Sequence, residues 1–406
     1  MLARKALGGR SWSILGLSHL VGTAMRLVFF GLALFVAALF TSACSRGTDG
    51  RIESPRFFAE DNPAQLSAWG LLDVSSGALE LADGVVPYDL NSALFTDYAL
   101  KLRTIWVPEE AGSAAFRSGD YPDFPVGTVI SKTFYYPRGE GVQDVLKVTD
   151  ILGETNSVLE DLDSVRLMET RLLVRRLAGW EAVSYVWNEA QSDAQLTKIG
   201  DARRLSLVVS ETEEEDFTYI VPDINQCAGC HAPNNTTREI VPLGVRPRHM
   251  NKTYRHDGDD HNQLEYLELV GDLRDVGETA SMKANVDWTD EKRSLSARAR
   301  SYLDINCSHC HNPVGPADTS GLDLSMEAMS GPELGVCKLP IAAGAGTGGR
   351  AFSIVPGDPD ASILLHRVET TNPGAMMPEL GRALQHREGA QLLREWIAEM
   401  EGACST

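Results

Sequence analysis

The residues with the most evident chemistry are two copies of Cys-x-x-Cys-His. One, in "DINQCAGCHAPN", supplies Cys227, Cys230 and His231; the other, in "YLDINCSHCHNP", supplies Cys307, Cys310 and His311. Three chemistries use thiols at this spacing. A redox dithiol has no need of a histidine as the next residue and sits at the start of a helix. A zinc ribbon could use both thiol pairs, but its halves usually lie closer in sequence, and a histidine is redundant beside four thiolates. Covalent haem attachment uses every position. Two thiols add to two vinyl groups, the intervening pair of residues sets their separation, and the adjacent histidine is carried beneath the iron. The pattern predicts two covalently bound haem c groups, with iron held by His231 and His311.

The other cysteines divide between two tasks. Cys44 closes the stretch "LVFFGLALFVAALFTSAC", an apolar run with four basic residues and no acid before its end. That describes an export signal over residues 1–43, of the lipoprotein type, with lipidation at Cys44. The run is short of the roughly 20 residues a spanning helix needs. The chain is expected on the periplasmic side of the envelope, touching the membrane only through this lipid or anchor. Cys337 and Cys404 remain, and in an exported chain they are expected to form a disulfide.

The 406 residues carry 37 basic and 56 acidic side chains, a net charge of −19. Such acidity excludes nucleic acid as a natural partner, because phosphates would be repelled, and suits steering of a basic redox protein partner. The length calls for more than one domain.

The elements that must position the motifs come in two kinds. "TVISKTFYYP" (Thr128–Pro137) is rich in β-branched and aromatic residues, and "RLMETRLLVRR" (Arg166–Arg176) alternates. Met168, Thr170, Leu172 and Val174 share one face, while Glu169, Arg171 and Arg175 share the other. "AVSYVWNE", "RLSLVVSE" and "FTYIVP" continue the strand character, and the acidic "TEEED" between the last two is expected at a solvated hairpin tip. "CAGCH" then follows a strand. Downstream the period changes. Leu295, Ala299, Tyr302 and Leu303 lie on one helical face leading into the second motif, with Asp290 as a cap and Leu393, Trp396, Ile397 and Met400 on one face of a closing helix that stops at Gly402.

A multidomain α+β chain is therefore expected. A tether and entry segment over 44–80 leads into a β-rich domain (81–222), a first haem-binding segment (223–288) and an all-α cytochrome c domain (289–406). In that last domain Met377, followed by Pro378, is the candidate sixth ligand of the haem at His311, with Met376 its neighbour and rival; Met326 and Met329 fill a core. For the haem at His231 the candidates Met250, His249, His256, His261 and Met282 stay open, as does a vacant position.

The chain resembles a family of bacterial exported di-haem c-type cytochromes of uncharacterised function. The resemblance runs from about residue 60 onward through "PYDLNSALFTDY", "GTVISKTFYYP", "ETRLLVRR", "QCAGCH", "RARSYLDINCSHCHNPVGPADTSGL" and "GVCKLPIAAGAGTGGRAFSIVPGDPDASIL". It implies two c-type haems and export, and the wider cytochrome c class implies the axial pair His311 and Met377. Electron transfer between an envelope partner and a respiratory acceptor is the expected role. A di-haem peroxidase with an open site at His231, using His249, His256 or His261 as acid/base, is one alternative. A β-rich ligand-binding module, presenting Tyr135, Tyr136, Trp180 and Trp187, is the other.

Overall fold

The structure is a computed structural model that describes residues 54–148 and 160–405. Residues 1–43 and Cys44 lie outside the described residues, so the signal and lipidation expectations are untouched by it. Among the described residues no helix is long and apolar enough to cross a membrane.

The centre is a six-stranded antiparallel sheet. Its strands are β1 (Val85–Tyr88), β2 (Leu100–Trp106), β3 (Val129–Pro137), β5 (Val165–Arg176), β6 (Gly179–Trp187) and β7 (Ala194–Thr197), in the order β7-β6-β5-β3-β2-β1. A smaller sheet joins β4 (Asp144–Leu146), β8 (Asp201–Ser210) and β9 (Glu213–Val221) in the order β9-β8-β4, with β8 parallel to β4. Strands with this many Val, Ile, Tyr and Phe residues pack well on a pleated surface.

Both faces of the large sheet are covered. One carries Leu102, Tyr135, Leu167, Val183 and Trp187, closed by Leu66 and Trp69 from the preceding segment. Leu66, Trp69, Leu71, Leu72 and Leu79 of the entry segment are thus part of the core. The opposite face of β5 holds Glu169 with no exposed surface, bonded to Arg171 and to the hydroxyl of Tyr219. Alternation of polar and apolar residues reads as half-buried when the polar side is in fact closed by paired charges. The four aromatics offered for ligand binding are internal: Tyr135, Tyr136 and Trp187 are buried, and Trp180 packs edge-on against Phe124.

Six short helices follow: α1 (Ile224–His231), α2 (Pro247–Met250), α3 (Gln263–Leu269), α4 (Leu295–Cys307), α5 (Ile363–Glu369) and α6 (Arg387–Ala398). The first motif therefore sits on a helix and not on the end of a strand. Asp223 caps α1 by accepting from Asn225 and Gln226, and the Gln226 side chain accepts from the Asp223 N–H in return. Helix α4 is capped by Ser294, not Asp290, and α6 ends at Ala398, four residues before Gly402. The acids expected at a hairpin tip begin β9, and Glu213 and Glu215 both pair with Arg387 at the start of α6.

The expectation of an all-α cytochrome c domain over 289–406 is overturned. Strand (26 %) outweighs helix (22 %), and the region holds only α4, α5 and α6, of 13, 7 and 12 residues, among turns. Nor is it set apart, since the chain from residue 52 onward is one compact unit. Helices α4 and α6 share a cluster built on Leu303, Leu393, Trp396 and Ile397, but the loop before α6 is held by the sheet region. The carboxylate of Asp97 accepts from the N–H groups of Ala383 and Leu384 at 2.8 Å, and Phe95 N–H donates to Asn306 Oδ1 at 2.9 Å. Helical periodicity announces α4 and α6 without revealing that polar clasps bind α4 and the loop before α6 to the segment between β1 and β2, more than two hundred residues upstream.

Asp272, after α3, is buried with Oδ2 unpartnered, and burial raises its carboxyl from the ordinary 3.8 to about 7. The folded chain therefore keeps a proton there that the unfolded chain loses near pH 4, so stability should fall as pH rises from about 4 to 7. Urea unfolding of Asp272→Asn is expected to match the wild type near pH 4 and to gain roughly 2–4 kcal/mol over it near pH 8.

Candidate functional site

The two motifs lie side by side. Cys310 Sγ is 3.7 Å from the carbonyl of Gly229, Asn235 N–H donates to Val314 O at 2.7 Å, and Asn312 Nδ2 donates to Pro233 O at 3.3 Å. The chain after α1 is thus bonded along the chain after α4.

Each motif histidine is fixed in one tautomer. His231 Nδ1 lies 2.9 Å from Val241 O, and a carbonyl can only accept, so the proton is on Nδ1. His311 Nδ1 lies 3.1 Å from Ser320 Oγ, whose own proton goes to Ala317 O at 2.7 Å. The hydroxyl must therefore accept from His311. Both rings present a bare Nε2, the state a metal-ligating histidine needs, with the Nδ1–H held by a carbonyl or hydroxyl outside the site. Burial lowers the basicity of both, to about 3 at His231 and about 4 at His311, which keeps the Nε2 lone pair available.

The thiols are not poised for redox exchange. Burial pushes Cys307 and Cys310 up to about 12 and also raises Cys227 and Cys230. Reactive dithiols have lowered values and occupy helix N-termini, whereas Cys307 is the last residue of α4. Nor are the four thiols gathered for zinc: among the described residues no group of three or more His, Cys, Asp or Glu side chains could hold a metal ion.

A cavity of about 880 Å³ opens beside the first motif, within the range of cofactor sites. Cys227, Cys230 and His231 lie on its wall, with His249, His309 and Met376. Cys307, Cys310, His311 and Met377 do not, so the adjacent methionines part company, Met376 alone facing this space. Met377 N–H donates to Arg367 O at 2.8 Å, and the Arg367 charge is the one felt at the His311 ring. Leu380 of the same loop packs against Gly229.

Most of the sixth-ligand candidates for His231 are engaged elsewhere. Met250 is in the core, Met282 packs on it, and His256 stacks on Tyr266 at 3.8 Å between centroids. His261 is on the hairpin beside Tyr266. His249 faces the cavity but is flanked by Asn285 at 3.4 Å and Asp304 at 3.7 Å. Sequence reasoning missed His309, which was passed over as a spacer between Cys307 and Cys310. It also missed the cavity's basic wall: Arg103, Lys132 and Arg171 from the sheet, with Arg246, Arg248 and Arg382. Cations at alternate strand positions were a visible signal, but nothing in one sequence distinguishes a basic cavity wall from a solvated face.

Bare Nε2 atoms, neutral thiols at the attachment spacing, and a large cavity with a cationic wall fit a haem, whose edge carries two carboxylates. Comparison with protein-family models, with curated proteins and with solved structures finds no match to this chain.

Cys337 and Cys404 form a disulfide across a separation of 67 residues, tying the segment before Ile354 to the end of the chain after α6. A closed loop of this length stabilises by about 4 kcal/mol in the chain-entropy model. The double variant Cys337→Ala/Cys404→Ala should lose up to that much in denaturant titration. Full alkylation of both thiols in the native, unreduced protein would show instead that no bridge forms.

Proposed function

We propose that the chain is an exported di-haem c-type cytochrome that passes electrons between a redox protein partner and a respiratory acceptor, anchored through lipid at Cys44. The observation that carries this reading is the contact between the two attachment motifs, Gly229 against Cys310, with each proximal histidine locked to offer Nε2. The bound groups would supply reversible one-electron chemistry at iron. What the chain itself does is hold and insulate. Cys227 and Cys230 on α1, and Cys307 and Cys310 at the end of α4, fix two attachment points next to one another. The Asn235–Val314 and Asn312–Pro233 bonds keep the spacing constant. Closely spaced, rigidly held redox centres suit transfer, and the loop bearing Met377 supplies a thioether for the His311 site.

This reading makes two measurable demands. Pyridine haemochrome analysis should return two haems per chain that survive acid-acetone extraction, and Cys227→Ala/Cys230→Ala should return one. Purified wild-type protein that contains zinc and no haem absorbance would sink the proposal. In Met377→Ala the weak red absorption of a sulfur ligand should vanish and one of the two potentials should fall. Persistence of that band would assign the thioether to Met376 or to the other haem.

A further inference from the structure

The antiparallel register of the large sheet sets Arg103 of β2 opposite Lys132 of β3, and Lys132 opposite Arg171 of β5. Three cations thus stand in one row across three adjacent strands, on the face that walls the cavity beside His231. Like charges directly opposed in a sheet destabilise it, and burial sharpens the cost. Two of the three are partly compensated. Arg103 pairs with Asp89 at 2.9 Å, and Arg171 takes Glu169 through Nε at 2.8 Å and Nη2 at 2.5 Å. The Lys132 ammonium has no hydrogen bond or ion pair among the described residues. Its ammonium lies 5.3 Å from the centroid of the Phe134 ring, which Arg171 also approaches at 4.3 Å.

No acid on the cavity wall is free to serve it. Asp97 is taken by Ala383 and Leu384, Asp304 by Asn285 and Met326, and Asp323 by Ser325. Glu327 pairs with Arg248, and Glu379 lies 3.8 Å from Arg367. Arg246, on the same wall, leaves its Nε without a partner. A partly buried ammonium in a row of cations, with no counter-charge of its own, is costly and tends to lose its proton, and an anion in the cavity would remove that cost.

We propose that the Arg103–Lys132–Arg171 row is the seat of the carboxylate groups of the ligand held by Cys227, Cys230 and His231. This rests on the di-haem reading above. The large sheet is then not an accessory module but one wall of the first haem site, and it is the wall that sets the local charge. A pair of carboxylates could also belong to a diffusible dicarboxylate. The attached ligand is preferred because the two thiols and the histidine lie on the same cavity wall as the row.

The test uses full-length holoprotein. Potentiometric titration of Lys132→Met should show two haems still bound, one potential lowered and the other unchanged, since losing a nearby positive charge favours ferric iron. Lys132→Arg should restore the wild-type value. Should Lys132→Met fail to fold, Arg246→Gln is expected to lower the same single potential. Unchanged potentials in a folded Lys132→Met holoprotein would overturn the proposal. So would saturable succinate binding to wild type that Lys132→Met abolishes without altering either potential, because the row would then serve a diffusible anion. Wild-type protein lacking two haems removes the di-haem reading itself, an outcome the haemochrome ratio separates from the others.

Discussion

The carboxylate of Asp97 is the constraint on which the site depends. It sits just before β2 in the left-handed region, φ 48°, and is almost wholly buried. Both oxygens are aimed at the backbone of the loop before α6, where Ala383 and Leu384 have no other acceptor of comparable reach. Burial raises the Asp97 carboxyl to about 6, and the two N–H donors pull against that. Its own carbonyl accepts from Tyr136 in β3 at 2.8 Å. One residue therefore bonds the sheet to the loop that carries Met376, Met377 and Leu380. Without it two N–H groups lose their acceptor, at about 1–3 kcal/mol apiece, leaving the packing of Leu384 on Phe134 and Tyr136 to hold that loop to the sheet.

The same logic explains why the sheet is closed on both faces. Its first face is an ordinary apolar core around Trp69, Tyr135 and Trp187. The second could not be apolar throughout, because part of it borders the cavity. There the chain uses charge with partners: Lys101 donates to the carbonyls of Leu94 and Ala99, and Arg103 and Arg171 each take a carboxylate. These bonds fix the polar side chains of the sheet on the face that borders the cavity beside α1. Helix α1, of eight residues, would be marginal on its own. Its capping box and its contact with the second motif hold it in place.

Legibility in the sequence followed how local each interaction is. The two motifs were plain because their chemistry is written in five consecutive residues. Helices α4 and α6 were plain because Tyr302, Leu303, Leu393 and Trp396 repeat at a helical period, and β3 and β5 because β-branched and aromatic residues cluster in them. Helix α1 was missed although Asp223 and Gln226 spell a capping box, since the preceding strand character of "FTYIVP" masked it. The all-α reading of 289–406 failed for a different reason. Asp97–Leu384, Phe95–Asn306 and Arg387–Glu213 join residues far apart in sequence, and each is a polar contact that leaves no periodic trace. The burial of the polar side of β5 was not legible because Glu169 and Arg171 are compensated internally, by each other and by Tyr219.

The two histidine sites end in unlike surroundings, although their motifs are nearly identical. His231 is fixed by a backbone carbonyl and faces a cavity walled by cations of the large sheet. His311 is fixed by a serine hydroxyl and lies near Arg367, in a shell of turns and short helices that also holds Met377. A carbonyl polarises the Nδ1–H of an imidazole more than a hydroxyl does, and so makes the opposite nitrogen a stronger donor to metal. Under the proposed di-haem reading, the sheet's positive charge would act on the first site in the contrary sense, favouring the reduced state of an iron held there. The difference between the two sites is therefore set less by the attachment motifs than by what the fold places around them, and the sheet, having no part in attachment, still governs the first of them.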